Sequence, residues 1–192
     1  MDSPIPVNGD KGKKYFHLEQ LGPGASLADF SCSVEEYTEY LKQDALRSQD
    51  DHVALTWLLY DVATGGIVAY MSMINDAIKL SVSEKELHSL NYPFKTIPAM
   101  KIAKLAVSQS FRKTYKGVGS FMIDAAKGLA LDCNTDYSAR TRLREGGFLT
   151  VDADVENNES VLSFYEKNGF IQNSEMNNKN RKTISMRKDI FA

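Results

Sequence analysis

Cysteine is scarce in this chain, and its two cysteines predict neither a disulfide framework nor a metal site. Only Cys32 and Cys133 occur among 192 residues, and their separation matches neither zinc-ligand spacing nor the cysteine density of a disulfide-stapled domain. Two isolated thiols suit a reducing compartment. The sequence therefore predicts a cytoplasmic protein that binds no metal.

Long apolar runs are also absent, which excludes a helix that crosses a bilayer. The N-terminal segment 1–14 lacks the apolar core of a secretion signal. Its prolines and glycines predict a flexible polar lead-in. Residues 15–192 show no internal repeat and fall within the size of one domain, so we expect a single domain there.

An excess of positive charge is missing as well. The chain has 23 Lys and Arg against 25 Asp and Glu, which gives a formal net charge of −2. Broad non-specific binding to nucleic acid requires a field of the opposite sign. The composition argues against that class of function and leaves room only for a local basic patch.

Apolar runs bounded by turn residues and apolar positions at helical spacing predict a mixed order of strands and helices. The expected strands are Tyr15–Leu21, His52–Tyr60, Ile67–Met73, Ala99–Val107, Phe148–Ala153 and Lys182–Arg187. The expected helices follow capping-box patterns at Ser33/Glu36 and Ser83/Glu86 and cover Gly117–Leu131 and Ser160–Lys167. An early hairpin followed by strand, loop, helix and strand favours an α/β fold with a mostly antiparallel sheet.

The central strand leads into a loop whose glycines open a helix. Leu105–Val107 ends the strand, a polar loop follows, and Gly117 and Gly119 begin the helix. Amides at a helix start have no intrahelical acceptor and carry partial positive charge, and glycine lets a bulky anion approach the backbone. The loop is neither a Walker A loop nor a three-glycine dinucleotide fingerprint.

The composition around this loop is basic. Between Ile97 and Gly119 there is no Asp or Glu, and the cations are Lys101, Lys104, Arg112, Lys113 and Lys116. Cations around an amide nest are typical of a phosphate site. The alternative interpretation is that the glycines permit close helix packing and that the cations form a solvated face.

A second motif follows the next predicted strand. Asn157 and Asn158 stand at the strand exit, and Phe164–Phe170 reads Phe-Tyr-Glu-Lys-Asn-Gly-Phe. The two motifs in this order resemble the GNAT superfamily of acyl-CoA-dependent N-acetyltransferases. That family carries a Leu-Ala-Val strand end, a Gln/Arg-x-x-Gly-x-Gly loop, and an Asn before Phe-Tyr-Glu-Lys-x-Gly-Phe.

The resemblance implies the acyl-CoA N-acyltransferase fold and an enzyme that passes an acetyl group from acetyl-CoA to a primary amine of a small molecule or protein. Direct attack through a tetrahedral intermediate would need no metal. The pantetheine arm would pair with the strand end, and the loop would hold the pyrophosphate. The implied cofactor-binding residues are Leu105, Ala106, Val107, Arg112, Lys113, Thr114, Lys116, Gly117, Val118, Gly119, Ser120 and Asn158.

The loop departs from the family at one point. Thr114 stands where Gln or Arg is usual, and Tyr115 stands where a further glycine is common. Either Thr114 fills the first loop position, or Arg112 does so in a loop that is longer by two residues.

The resemblance assigns Tyr165 as the general acid that protonates the leaving thiolate. A phenol near pKa ~10 and a thiol near ~8.5 can share that proton. Asn158 binds the cofactor or caps the following helix, and Asn157 competes for either role. The base is open, because Ala99–Val107 carries no carboxylate. The candidates are Asp152, Asp154, Glu84 and Glu86, for which solvated surface charge is the competing interpretation.

A weaker resemblance links the chain to bacterial acetyltransferase toxins of toxin–antitoxin pairs. It rests on Phe30-Ser31-Cys32, Tyr40-Leu41-Lys42, Tyr92-Pro93 and Ile97-Pro98-Ala99. It implies acetylation of aminoacyl-tRNA and an antitoxin partner, although those toxins are basic and this chain is slightly acidic. A catalytically silent CoA-binding module is the other alternative. The oligomeric state stays open between a monomer and a homodimer.

Overall fold

The computed structural model describes residues 5–7, 14–87, 94–141, 147–158, 160–173 and 182–191. The chain forms two compact units. The first contains the described residues up to Ile74 together with Ala103–Met122, and the second contains Asn75–Ile102 and the described residues from Ile123 onward. The prediction of a single domain over 15–192 stays a prediction.

The strands and helices have the following bounds. The strands are β1 (Ile5–Val7), β2 (Lys14–Gln20), β3 (Leu55–Asp61), β4 (Ile67–Ile78), β5 (Ile97–Val107), β6 (Phe148–Asp154), β7 (Ile171–Gln172) and β8 (Thr183–Asp189). The helices are α1 (Glu35–Glu39), a π-helical turn (Tyr40–Asp44), α2 (Ala45–Asp50), α3 (Val82–Leu87), α4 (Gln109–Arg112), α5 (Val118–Thr141) and α6 (Val161–Lys167).

In the first unit the strand order is β1-β2-β3-β4-β5. The pairs β1/β2, β2/β3 and β3/β4 are antiparallel, with Phe16 opposite Asp61 and Leu55 opposite Met73. Strand β1 lies inside the segment that we expected to be a flexible lead-in. Most of 1–14 falls outside the described residues, so its flexibility stays a prediction.

In the second unit the order is β4-β5-β6-β8-β7. Strand β5 is parallel to β6 where Met100 and Ile102 face Leu149 and Val151. The β6/β8 and β7/β8 pairs are antiparallel. The predicted α/β class with a mostly antiparallel sheet is therefore confirmed.

Each unit has its own apolar core. In the first unit α1, the π-helical turn and α2 pack on the sheet through a buried cluster that includes Leu41, Leu58 and Tyr70. In the second unit Ile78 and Phe148 belong to a separate buried cluster. No helix within the described ranges is long and apolar enough to span a membrane.

Neither of the two predicted capping boxes forms. Helix α1 begins after Val34 without a side-chain cap, so Ser33 does not cap it. In α3 the reciprocal box forms between Ser81 and Glu84, two residues before the predicted pair. The Glu84 amide donates to Ser81 Oγ at 3.2 Å, and the Ser81 amide donates to the Glu84 carboxylate at 2.7 Å.

The buried face of α5 also differs from the prediction. Val118 and Met122 are buried as expected, but Phe121, Ala125 and Leu129 are only partly buried. The other fully buried positions of the described α5 side chains are Ile123, Ala126 and Ala130. The helix continues past Leu131 to Thr141, and strand β7 was not predicted. The small residues on this face permit close packing.

Candidate functional site

The C-terminal end of β5 is fixed by hydrogen bonds inside the first unit. Ser108 is buried and its amide donates to the Val68 carbonyl at 2.8 Å. The Gln109 amide donates to Ser31 O at 2.9 Å, and its side-chain amide donates to Cys32 O at 3.2 Å. The strand end at Leu105, Ala106 and Val107 thus leads into a firmly held loop.

The first half of the loop is a single turn that uses its own amides. The amides of Phe111 and Arg112 donate to Ser108 O, and those of Thr114 and Tyr115 donate to Phe111 O. The side chains of Arg112 and Thr114 are both exposed. Their backbone amides are already used, so each residue can donate to a phosphate from its side chain, and the first loop position stays open between Arg112 and Thr114.

Aromatic packing anchors the loop on the β3–β4 hairpin. The rings of Phe111 and Tyr115 stack at 5.8 Å, and Tyr115 meets Phe16 edge-on at 4.9 Å. The Tyr115 hydroxyl donates to Asp61 at 2.9 Å. Burial is the larger cause that raises the pKa of Tyr115, and the Asp61 carboxylate is the second. A Cβ at Gly66 would lie 2.7 Å from the Phe111 ring. Tyr115, which stands where the family commonly has a glycine, thus anchors the loop to the strands of the first unit.

The second half of the loop turns into α5 at Gly117. This glycine has φ +78°, a conformation that L side chains rarely adopt. The Phe121 amide donates to Gly117 O at 3.0 Å and so makes the first intrahelical bond. The amides of Val118, Gly119 and Ser120 precede that bond and have no intrahelical acceptor. The first turn of α5 contains no acidic residue, so the helix dipole is not neutralised there.

The five cations of the sequence pattern do not act as one set. Arg112, Lys113 and Lys116 are exposed on the loop itself. Lys104 lies 2.5 Å from Glu36, and Lys101 lies 2.9 Å from Asp152. Three loop cations therefore accompany the amides of the α5 start, and two are paired with carboxylates.

At the exit of β6 the asparagines organise the backbone locally. Asn158 Oδ1 accepts from the Ser160 amide at 3.1 Å and from its hydroxyl at 2.8 Å. Asn157 donates to Asp154 through its amide at 3.1 Å and its side chain at 2.8 Å. Asn158 thus orders the turn before α6, but the N-cap residue of α6 is Ser160, so the capping alternative for Asn158 was wrong. Asp154 is hydrogen-bonded to Asn157.

Tyr165 lies on α6, and its position is set by the end of that helix. The Phe170 amide donates to Tyr165 O at 3.0 Å and the Gly169 amide to Glu166 O at 2.9 Å, with Gly169 at φ +81°. This is a Schellman motif, which brings the residue after the glycine against the last turn. The rings of Tyr165 and Phe170 meet at 5.3 Å, and Tyr165 is 8% exposed. The predicted role of Gly169 as the helix terminator is confirmed.

Two of the candidate bases are held in ion pairs. Glu84 lies 2.5 Å from Arg187, whose side chain is 3% exposed, and Arg187 also donates to Asn173 Oδ1 at 2.8 Å. For Glu84 the interpretation as solvated surface charge was wrong. Asp152 is paired with Lys101, and Glu86 is exposed. No sequence pattern predicted the Glu84–Arg187 pair, because its partners come from distant parts of the chain.

Comparison with known proteins identifies the fold. No family model matches the chain, and no curated protein matches its sequence. AtaT complexed with acetyl-methionyl-tRNAfMet is similar in structure, with 19% identity over 88% of this chain and 93% of that one and a TM-score of 0.69. A tyrosine-to-phenylalanine mutant of KacT has 18% identity over 88% and 93% and a TM-score of 0.66. AtaTR bound with AcCoA has 20% identity over 88% and 92% and a TM-score of 0.63. These similarities confirm the predicted acyl-CoA N-acyltransferase fold.

Proposed function

We propose that this protein transfers an acetyl group from acetyl-CoA to an amine. The observation that carries the proposal is the start of α5, where Gly117 turns the chain and leaves the amides of Val118, Gly119 and Ser120 without an intrahelical acceptor. This amide cluster stands beside three exposed loop cations on a fold that, in AtaTR, is bound with AcCoA.

The donor site then has two parts. The pyrophosphate accepts hydrogen bonds from the α5 amides, and its charge is balanced by the loop cations. The pantetheine arm pairs with the backbone of Leu105 and Val107 as an added strand, and an amide near Leu105 stabilises the oxyanion that forms on the thioester carbonyl. The residues that we assign to the donor site are Leu105, Ala106, Val107, Arg112, Lys113, Thr114, Lys116, Gly117, Val118, Gly119, Ser120 and Asn158.

The reaction requires one new bond, one broken bond and two proton movements. The amine nitrogen attacks the carbonyl carbon, the carbon–sulfur bond breaks, the nitrogen loses a proton, and the thiolate gains one. We assign the last proton to the Tyr165 hydroxyl. The family resemblance of Phe164–Phe170 supports this assignment, as does the Schellman motif that fixes the Tyr165 backbone.

We propose an aminoacyl-tRNA as the acceptor, in the manner of a bacterial, cytoplasmic toxin with an antitoxin partner. The support is the similarity to AtaT complexed with acetyl-methionyl-tRNAfMet and to an AtaT mutant bound to the C-terminus of the antitoxin AtaR. The net charge of −2 requires that the tRNA be held by a local basic patch rather than by a general positive field. A small or protein amine is the alternative acceptor.

A thiol-release assay with acetyl-CoA tests this proposal, with charged tRNA, peptides and small amines as acceptors. We expect thiol release and an acetylated α-amine with charged tRNA, and growth arrest on expression. Thiol release with small amines alone would support acetyl transfer as the reaction but show that the acceptor is a small amine and not a charged tRNA. Binding of acetyl-CoA without release for any acceptor would identify a silent CoA-binding module. No heat of binding with CoA or acetyl-CoA in calorimetry would overturn the donor site itself.

Gly117→Ala is expected to weaken acetyl-CoA binding by at least about tenfold, a loss of about 1.4 kcal/mol. A side chain at φ +78° costs about 1–2 kcal/mol, and relaxing that strain rotates the first α5 amides away from the pyrophosphate. Isothermal titration calorimetry measures the affinity.

The matched control is Gly65→Ala, which imposes the same strain at φ +68° in the β3–β4 turn, where a Cβ also meets nothing within 4 Å. The control should lose similar stability and keep its affinity for acetyl-CoA. Equal affinity in both variants would show that the amides at Gly117 do not contact the donor.

A further inference from the structure

The Lys104 ammonium group sits in a cage of two aromatic rings and a carboxylate. Its Nζ lies 4.5 Å from the centre of the Tyr37 ring and 5.5 Å from that of Tyr40. Glu36 Oε1 is 2.5 Å from the same nitrogen. Aromatic faces within about 6 Å of a cation attract it through their quadrupole. Three side chains from little more than one turn of a helical segment thus surround a single positive charge. We call Glu36, Tyr37 and Tyr40 the ammonium cage.

The cage is held rigidly from beneath. The buried Tyr70 hydroxyl donates to the Tyr37 carbonyl at 2.7 Å, and burial raises the pKa of Tyr70 so that the phenol keeps its proton. Leu41 and Ala45 are buried against the sheet of the first unit. Tyr40 begins the π-helical turn, a rare geometry that is frequent at functional sites.

The cage is nevertheless open to solvent. The Glu36 side chain is 72% exposed and that of Lys104 is 20% exposed, and both tyrosines are only partly buried. A cation from solution can therefore reach the rings once the lysine leaves. Because the carboxylate of this ion pair is so exposed, the pairing itself contributes little to stability.

Lys104 immediately precedes Leu105 on β5, and both belong to the first unit. The cage therefore opens next to the residue whose backbone we assign to the thioester. A cage of aromatic faces and a carboxylate recognises an ammonium group from any source, and a lysine side chain occupies it in the free protein.

We propose that the ammonium cage is the docking site for the cationic amine of the acceptor, which displaces Lys104 when it binds. The docked ammonium group loses one proton to solvent water before its nitrogen attacks the thioester, in addition to the proton that it loses when the amide forms. This inference rests on the proposed function, because it names the acceptor subsite of that reaction. It restricts the acceptor to amines that arrive with a positive charge, and it makes Lys104 an internal competitor for them.

Tetramethylammonium is a suitable probe, since it has the charge of the acceptor and cannot react. We expect Lys104→Met to bind it at least about tenfold more tightly than the unaltered protein, observed as shifts of tyrosine ring resonances in an NMR titration. Lys104→Gln, which is also neutral but polar, serves as a second variant should the methionine perturb folding.

Two controls distinguish binding of the probe in the ammonium cage from a general effect of the protein's net charge. Lys42→Met removes an equal charge from the same helical segment, where Lys42 Nζ donates to Ala28 O at 2.8 Å, and it should not improve binding. Adding Tyr40→Leu to Lys104→Met should abolish the improvement. The proposal is overturned if the lysine variants bind the probe no more tightly than the unaltered protein, or if the double variant binds it equally well.

The two proposals fail separately. If acetyl transfer is found, Lys104→Met should also lower KM for a cationic acceptor severalfold. Tight probe binding without acetyl transfer to any amine would support the ammonium cage and contradict the proposed enzymatic function. Acetyl transfer with no probe binding in the lysine variants would support the enzymatic function and contradict the ammonium cage as the acceptor site.

Discussion

Tyr165→Phe is expected to lower kcat for acetyl transfer by about 10²–10⁴-fold, the usual contribution of a positioned acid. The substitution removes one hydroxyl and keeps the ring that contacts Phe164 and Phe170 at 5.1 and 5.3 Å. Folding and acetyl-CoA affinity should therefore be retained. Single-turnover kinetics with acetyl-CoA, compared with calorimetric binding, would separate the chemical step from donor binding.

Tyr15→Phe is the control for this experiment, because it removes the hydroxyl of an exposed tyrosine on β2. It should leave kcat unchanged. Should Tyr165→Phe retain full kcat, Tyr165 would be a packing residue that completes the Schellman motif. The same result would require another proton donor for the thiolate.

Arg187→Met is expected to lower the free energy of unfolding by about 3–5 kcal/mol, as when one partner of a buried ion pair is removed. The guanidinium group binds Glu84 on α3 and the buried Asn173 beside β7, so its loss leaves both without their charged partner. Among the described residues its Nε has no hydrogen-bond partner. Urea denaturation at neutral pH would measure the loss.

The control is Arg47→Met, because Arg47 forms an exposed i,i+4 pair with Asp51 whose side chains are 80% and 61% accessible. That substitution should change stability by no more than about 0.5 kcal/mol. A comparable loss of stability in both variants would mean that burial is not the reason why Arg187 stabilises the fold.

The same ion pair predicts a dependence of stability on acid. Burial raises the pKa of Glu84, but hydrogen bonds from Ser81 and the charge of Arg187 outweigh it and lower the pKa below 4.5. A carboxyl group whose pKa is lower in the folded state than in the unfolded state stabilises the fold at any pH above its unfolded-state pKa. This contribution is lost as the pH falls through the folded-state pKa. Denaturation midpoints of the unaltered protein should fall across that acid range, and those of Glu84→Gln should fall less steeply.

Local backbone chemistry made part of this structure readable from the sequence. Gly117 and Gly169 were assigned to a helix start and a helix end, and both have positive φ. Strand β5 and the early hairpin were also found, because each is a continuous run that ends at turn residues. The capping box of α3 shows the limit, since Ser81/Glu84 and Ser83/Glu86 both satisfy the pattern. The first forms because Leu80 is buried and places Ser81 at the helix start.

What the sequence determined by itself was therefore the order of the longer strands and helices, the glycine turn at Gly117 and the motif around Tyr165. Each depends on residues that are neighbours along the chain. Only the tertiary structure decided which charges stand together: Lys104 with Glu36 and Arg187 with Glu84. The physical reason is that a lysine or an arginine has the same sequence signature whether it faces solvent, a phosphate or a carboxylate. Its partner is chosen by strand register and helix packing, which bring distant parts of the chain together.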